Sequence, residues 1–148
     1  MFVSVTRLRI RSFIYLPSFL LQTRLSQAQV KRAAGFVGGR LLVDKHWTYW
    51  TLTVWETEKA MKAFRGSGAH AKVMPRLANW CDEAAYAHWE TTDETVPTWP
   101  EAYQYLLTSG KLSRVDHPSP AHEAKLFVQP RLRPLIGRNI KPKKSTAA

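Results

Sequence analysis

The sequence predicts an α+β domain in which an antiparallel sheet carries helices on one face, in the order β-α-β-β-α-β. Segments rich in β-branched and aromatic residues alternate with segments of helical periodicity in that order. The run from Trp47 to Trp55 contains three tryptophans, one tyrosine and three threonines and no charge. This composition is typical of a strand with bulky side chains on both faces, and such a strand needs cover on each side.

The first strand and the first helix precede Gly35. Residues 2–10 are rich in β-formers and predict the first strand. A helix is expected from about Pro17, because the missing N–H of proline suits the first turn of a helix. Leucines and alanine then recur at helical spacing, and Gly35 ends the pattern. The recurring residues are Leu21, Leu25 and Ala28.

The second and third strands are predicted to form a hairpin. Residues 36–43 predict the second strand, in which Gly38 and Gly39 indicate a bulge or a close backbone approach. A tight connection at residues 44–46 leads into the third strand, residues 47–55. Alternation sends Trp47, Tyr49, Thr51, Thr53 and Trp55 to one face, and Thr48, Trp50, Leu52 and Val54 to the other. We therefore expect helices on one face and a second subunit or a ligand cavity on the other.

The remaining elements complete the domain. A helix is expected after the third strand, with Thr57 as its N-cap. Residues 66–68, Gly-Ser-Gly, are expected to end this helix. A second helical piece is expected to continue to about Trp80, and residues 83–90 predict the last strand. This order is that of a ferredoxin-like α+β domain over residues 1–92.

Residues 93–148 predict an extension that has a short helix near residues 99–108 and a Pro-rich basic tail. The prolines of the tail are expected to exclude regular structure, because proline lacks a backbone donor. They are Pro118, Pro120, Pro130, Pro134 and Pro142.

Charge and cysteine content narrow the class of protein. The net charge is +11, and residues 111–148 hold nine basic against two acidic residues. We interpret this tail as a solvated terminus in preference to a nucleic-acid or acidic-membrane tail. The single cysteine, Cys81, excludes an internal disulfide and suits a cytoplasmic location. Residues 7–21 resemble a signal peptide, but helical periodicity continues beyond them, which favours folded structure.

A short pattern resembles that of a known superfamily. Strand residues 55–57, then Met61 and Phe64, then the SxxH sequence from Ser67 to His70 resemble the dimeric α-β-barrel superfamily. Its members include antibiotic-biosynthesis monooxygenases, haem-degrading monooxygenases and spheroidene monooxygenase, and this chain is most similar to an uncharacterised bacterial branch near the last. The resemblance covers about residues 2–90. It implies a homodimer through the sheet face, and a cavity for a hydrophobic small molecule between sheet and helices.

The cofactor is left open by this resemblance. Spheroidene monooxygenase is regarded as a haem enzyme, whereas the antibiotic-biosynthesis enzymes work without metal or cofactor. In the haem-degrading branch the axial histidine lies where this chain has Met74, and its first-strand asparagine has no counterpart beyond Ser4 or Thr6. Haem is therefore a candidate cofactor, but haem degradation is not implied.

His70 is the candidate catalytic and cofactor-binding residue, as an acid or base or as an axial ligand of haem. The alternative is a structural histidine whose ring nitrogens bind loop carbonyls. Aromatic side chains are the candidate substrate-binding residues, although each could equally be core. They are Trp47, Tyr49, Trp50, Trp55 and Trp80. No zinc or iron motif is present in the sequence, so a dedicated metal site is not expected.

Three functions are compatible with these observations. The first is a monooxygenase-like oxidoreductase acting on a hydrophobic small molecule. The second is a dimeric ligand-binding module without catalysis, since no complete catalytic set is evident. The third is RNA binding, which shares the β-α-β-β-α-β order but needs a stacking signature that this chain lacks. Nucleic acid is therefore an unlikely partner on composition and motif alone.

Overall fold

The computed structural model describes residues 1–44, 46–130 and 137–143. Its strands are β1 (Phe2–Ile10), β2 (Phe36–Val43), β3 (Thr48–Trp55), β4 (Cys81–Glu90), β5 (Lys111–Leu112) and β6 (Gly137–Ile140). Its α-helices are α1 (Leu16–Val30), α2 (Glu58–Arg65), α3 (Gly68–Trp80), α4 (Trp99–Ser109) and α5 (Pro120–Glu123). A 3-10 helix, Phe13–Tyr15, precedes α1.

The strands form one antiparallel sheet in the order β5-β4-β1-β3-β2-β6. Its four central members follow the order β4-β1-β3-β2, because each helical crossover skips one strand position. Val5 of β1 is aligned with Leu52 of β3 and with Ala87 of β4. The ferredoxin-like arrangement predicted from the sequence is therefore confirmed.

Helices α1, α2 and α3 cover one face of this sheet. At one end of the face, Phe2 and Trp55 pack with Val30 of α1 and Met61 of α2. At the other end, Ile10 packs with Phe19 of α1, and with Val73 and Trp80 of α3. Two aromatic and aliphatic clusters thus close the two ends of the space between the sheet and these helices.

The opposite face of the sheet is covered by α4. Trp50, Leu52 and Val54 of β3 are almost fully buried in the single chain. They pack in one cluster with Trp99, Ala102 and Leu106 of α4. We had expected a second subunit or a ligand cavity on this face. The chain itself supplies the cover, because the chain after β4 folds back across the sheet.

Helix α1 does not bury the stripe that its periodicity suggests. Leu21 and Leu25 are 57% and 46% exposed, whereas Phe19 and Val30 point inward with 5% and 4% exposure. Periodicity predicts the helix and the spacing of its stripe, but it does not show which side of the helix meets the sheet.

Two local predictions are confirmed. The pairing of β2 with β3 shifts register between Phe36 and Gly38, and a Cβ on Gly39 would lie 2.5 Å from the carbonyl oxygen of Leu52. The paired glycines therefore mark a bulge with a close backbone approach. Thr57 caps α2, with its side-chain oxygen accepting a hydrogen bond from the Ala60 N–H.

Two other predictions are wrong. Trp47 lies in the hairpin loop with φ 56°, and β3 begins one residue later. The Pro-rich segment does contain regular structure, because Pro120 occupies the first turn of α5, where no donor is needed. Strand β6 pairs with the edge strand β2 through residues 137–140, between two prolines. Pro134 lies outside the described residues.

No helix within the described residues is long and apolar enough to cross a membrane.

Candidate functional site

Two rows of polar side chains cross the sheet on the face that α1–α3 cover. Strand register aligns Ser4 with Thr53 on one side and with His88 on the other. The next row on that face aligns Thr6 with Thr51 and with Tyr86. Residues two apart on a strand share a face, so the six side chains form one polar patch.

Four side chains of this patch are partly accessible to solvent. Thr6 and Thr51 lie on the two central strands, yet both side chains are partly accessible. Tyr86 and His88 on β4 are also partly accessible. A continuous core would bury such positions, so α1–α3 leave a space over the middle of the sheet. We infer this space from the accessibility of Thr6, Thr51, Tyr86 and His88 and call it the cleft; Ser4 and Thr53 of the patch are buried at its floor.

Helix α1 also contributes polar residues toward the sheet. Thr23 and Ser26 are partly buried, and they lie on the helix between the inward-pointing Phe19 and Val30. The spacing from Phe19 through these two residues to Val30 follows one helical face. The space over the middle of the sheet is therefore polar on its helical side as well.

His70 lies in the first turn of α3, where its backbone and ring are both held. Its N–H donates to the side-chain oxygen of Gln29 at 3.0 Å. Its Nδ1 lies 3.3 Å from the carbonyl oxygen of Arg65. If Nδ1 carries the proton and donates to this carbonyl, Nε2 carries the lone pair. Both the structural role and the ligand or base role are compatible with this geometry.

The environment lowers the pKa of both His70 and His88, which favours the neutral imidazole. Burial lowers the pKa of His70, opposed by its bond to the Arg65 carbonyl. Burial is also the largest cause of the lowered pKa of His88, and the positive charge of Arg65 adds to it. A neutral imidazole has the lone pair that a general base or a metal ligand requires.

One of the predicted aromatic residues is brought close to His70. The Phe64 ring lies 4.8 Å from the ring of His70 and 5.2 Å from that of Trp55. Trp55 is 1% exposed, and its Nε1 has no hydrogen-bond partner within the described residues. Trp55, Phe64 and His70 therefore form a continuous aromatic edge at one end of the covered face.

The other predicted aromatic residues lie elsewhere. Tyr49 and Trp80 belong to the cluster at the far end of the covered face, and burial raises the pKa of Tyr49. Trp50 lies on the opposite face, 6.5 Å from the ring of Trp99. Trp47 is exposed in its loop. The five predicted residues therefore do not form a single pocket.

A surface groove of about 800 Å³ lies between α1 and α2. It is lined by small apolar side chains such as Ala28, Ala60 and Ala63, with Phe64 at one side. None of the predicted site residues lines this groove. Phe64 and Gln29 both line this groove and both contact His70, Phe64 through its ring and Gln29 through a hydrogen bond.

A buried polar cluster that was not predicted from the sequence lies on the α4 face. Arg7 and Glu83 form an ion pair with side chains only 5% and 3% exposed. Glu83 also accepts a hydrogen bond from Ser119 at 2.8 Å and binds Arg9 at 3.1 Å. A signal was present, because alternation places Arg7 on the same face as the apolar Val3 and Val5.

In the part of the chain that the structure describes, neither a cluster of metal-binding side chains nor the thiol offers a candidate site. No three His, Cys, Asp or Glu side chains there converge as a metal site. Cys81 is fully buried, and burial raises the pKa of its thiol to about 12.

Gln29 is a second residue whose role was not predicted from the sequence. Its amide nitrogen donates to the Ser67 carbonyl at 2.9 Å and so helps to hold the turn before His70.

Several solved structures share the fold of this chain. A protein from Nitrosomonas europaea, provisionally described as an antibiotic biosynthesis monooxygenase, aligns with a TM-score of 0.55 and 17% identity, over 63% of this chain and all of that chain. SnoaB from Streptomyces nogalater, a cofactor-independent oxygenase, aligns with a TM-score of 0.51 and 17% identity, over 66% of this chain and 97% of that one. A conserved protein from Methanosarcina mazei Go1 has a TM-score of 0.54 and 12% identity, over 62% and 92%. The fold is that of the antibiotic-biosynthesis-monooxygenase type.

The chain belongs to the family described as domain of unknown function DUF3291, which its residues 17–123 match. This match begins in α1 and ends with α5, so it includes the helix α4 that covers the second face of the sheet. No curated protein matches the sequence significantly.

Proposed function

We propose that this protein is a monooxygenase-like oxidoreductase that binds a hydrophobic small molecule in the cleft. The observation that supports this most is the cleft itself, a polar patch on central strands that stays accessible beneath three helices. Aromatic clusters close both of its ends. Apolar walls with a few hydrogen-bonding groups are typical of small-molecule sites.

The proposed residues have separate roles. His70 acts as the general base, since a lowered pKa leaves its imidazole neutral and able to take a proton. Thr51 donates a hydrogen bond to the substrate oxygen on which negative charge develops, whereas the buried Thr53 hydroxyl donates to the Ser4 carbonyl at 3.5 Å. Of the aromatic residues predicted from the sequence, Trp55 bounds the ligand beside His70, and Tyr49 bounds it at the far end. Trp47, Trp50 and Trp80 are not part of this proposal.

The proposed reaction uses the substrate as its own reductant. The base removes a proton from a CH₂ group next to a carbonyl or phenol, which leaves a carbanion or enolate that reacts with O₂. One oxygen atom becomes the new C=O group and the other leaves as water, so that CH₂ and O₂ give C=O and H₂O. The four electrons lost by carbon reduce O₂ completely, and no external reductant is needed.

Haem remains a candidate cofactor. Donation from Nδ1 to the Arg65 carbonyl would orient the ring of His70, and metal-bound histidines usually have such a partner. When bound, haem would supply one-electron chemistry with O₂. An absorption spectrum with added haem, recorded for the wild type and for His70→Ala, distinguishes this case. A Soret band that is lost in the variant supports ligation by His70.

Oxygen uptake with a set of polycyclic phenols that carry such a CH₂ group tests the proposed activity. We expect uptake by the wild type and a loss of about a hundredfold in His70→Ala, which is a typical contribution of a general base. His46→Ala is the matched control, because His46 is exposed in a loop away from the cleft. Equal rates in His70→Ala and in the wild type would refute the role of His70.

The second candidate function is a ligand-binding module without catalysis. It is favoured by the dispersal of the predicted aromatic residues over both faces of the sheet. Saturable binding of the same compounds without oxygen uptake would establish it. RNA binding ranks below both, and salt-sensitive binding of RNA would support it.

A homodimer, a cytoplasmic location and a place near spheroidene monooxygenase remain parts of this proposal. A dimer through the sheet face would have to form over α4, because α4 already covers those strands. Sedimentation of the full chain measures the oligomeric state directly.

A further inference from the structure

We propose that the outer surface of α1, with the 3-10 helix that precedes it, docks on anionic lipid bilayers. This α1 surface consists of Phe13, Ile14, Leu20, Leu21 and Leu25. Their side chains are 68%, 73%, 43%, 57% and 46% exposed. Large apolar residues scattered singly over a surface need no explanation, but a group of them on one element marks an interaction site.

The orientation of α1 creates this surface. A helix on a sheet normally buries its apolar stripe and exposes its polar side. Here the partly covered positions include Thr23 and Ser26, while Leu21 and Leu25 point away from the sheet. The leucine stripe is therefore not part of the core, and only contact outside the chain would remove it from water.

The charge around the surface matches an anionic membrane. Arg24, Lys31 and Arg32 are exposed on or just after α1. The first 43 residues of the sequence contain no aspartate or glutamate. Exposed leucines beside basic residues are typical of helices that lie in the membrane interface, where the basic groups meet anionic lipid. A two-fold contact with a second copy would instead bring the same basic residues together.

Trp47 extends the surface at its amino end. Its indole is 42% exposed and packs edge-on against Phe13 at 5.3 Å. Its φ of 56° is a strained conformation for a bulky residue. The fold thus keeps the Trp47 indole exposed to solvent beside the Phe13 ring. Tryptophan is enriched at the interface between a membrane and water.

Co-sedimentation with vesicles tests this proposal on the full chain. We expect binding to phosphatidylcholine vesicles that contain phosphatidylglycerol, weaker binding to phosphatidylcholine alone, and a decrease with salt. The double variant Leu21→Ser/Leu25→Ser keeps every charge and should lose about tenfold or more in partitioning. Leu107→Ser/Leu126→Ser is the matched control, because these leucines are 46% and 62% exposed outside α1. The control should bind as the wild type does.

Two results would overturn the proposal. If Leu21→Ser/Leu25→Ser binds vesicles as the wild type does, charge elsewhere in the chain accounts for binding. If gel filtration without vesicles shows that this variant dissociates a wild-type dimer, a second copy occupies the surface. Both substitutions are at exposed positions, and circular dichroism checks that the variant folds. Phe13→Ser and Ile14→Ser give an independent second variant of the same surface.

Discussion

At the residue scale, the ion pair between Arg7 and Glu83 is the most deeply buried salt bridge among the residues that the structure describes. Both residues lie inside the α4 face, and Arg7 also sits over the Trp50 ring at 5.6 Å. Burying two charges is costly unless each is paired and hydrogen-bonded. Arg9 and Ser119 supply the further bonds that Glu83 requires.

Removing Glu83 should therefore destabilise the fold strongly. We expect Glu83→Ala to lower the free energy of unfolding by about 3–5 kcal/mol, because it leaves the Arg7 guanidinium buried without its partner. The matched control is Glu58→Ala, which breaks the exposed pair with Lys62 and should leave the free energy of unfolding nearly unchanged. Urea unfolding of both variants measures the difference, and equal losses would contradict this account.

The lowered pKa of His70 predicts a pH dependence of stability. Burial holds this pKa below its ordinary value of 6.5, so the unfolded chain binds the proton more readily than the folded one. Stability is then fully present above pH 6.5 and is lost as the pH falls through the pKa of the folded state. His88 acts in the same direction.

Replacing His70 should weaken this dependence. We expect the free energy of unfolding of His70→Gln to fall less between pH 7 and pH 5 than that of the wild type, and part of the fall should remain through His88. Unfolding curves at several pH values test this. An unchanged slope in His70→Gln would show that burial of this imidazole does not affect folding.

At the element scale, α4 covers the face for which the sequence predicts a second subunit or a ligand cavity. Its inward residues Trp99, Ala102 and Leu106 complete the core over β1, β3 and β4. The capping box of Thr98 and Glu101 fixes where the helix begins. The helix is therefore part of the folding unit rather than an appendage.

Adjacent leucines of α4 provide a direct comparison. Leu106 is fully buried and Leu107 is 46% exposed. We expect Leu106→Ala to cost about 2–5 kcal/mol in unfolding free energy, because it leaves a cavity against the sheet. Leu107→Ala should change it by less than about 0.5 kcal/mol. Similar losses for the two variants would mean that α4 does not pack on the sheet in solution.

The bounds of the strands were easier to predict from the sequence than the side of each helix that packs on the sheet. The first two strands have the bounds predicted from composition, Phe2–Ile10 and Phe36–Val43, since β-branched and aromatic residues are concentrated there. The exposure of Leu21 could not be predicted, because periodicity does not say which side of a helix has a partner. The position of α4 depends on tertiary contact, and no local pattern encodes it.

At the scale of the whole molecule, part of the candidate site follows from the sequence. Alternation already separates Trp50 from Tyr49 and Trp55, so these rings could not line one pocket. The cleft was harder to predict, because it depends on the height at which α1–α3 cross the sheet. The structure gives a sheet with α4 sealing one face and a polar cleft under α1–α3 on the other.

Binding of a large planar apolar probe in the cleft tests the central claim most directly. Haem is such a probe, and its absorption spectrum reports binding to the wild type, Thr51→Trp and Thr108→Trp. Thr51 lies in the middle of the cleft, whereas Thr108 is exposed on α4. We expect saturable binding to the wild type and to Thr108→Trp, and binding about tenfold or more weaker to Thr51→Trp, where the indole fills the space. Equal binding by Thr51→Trp, or no saturable binding by the wild type, would contradict that claim.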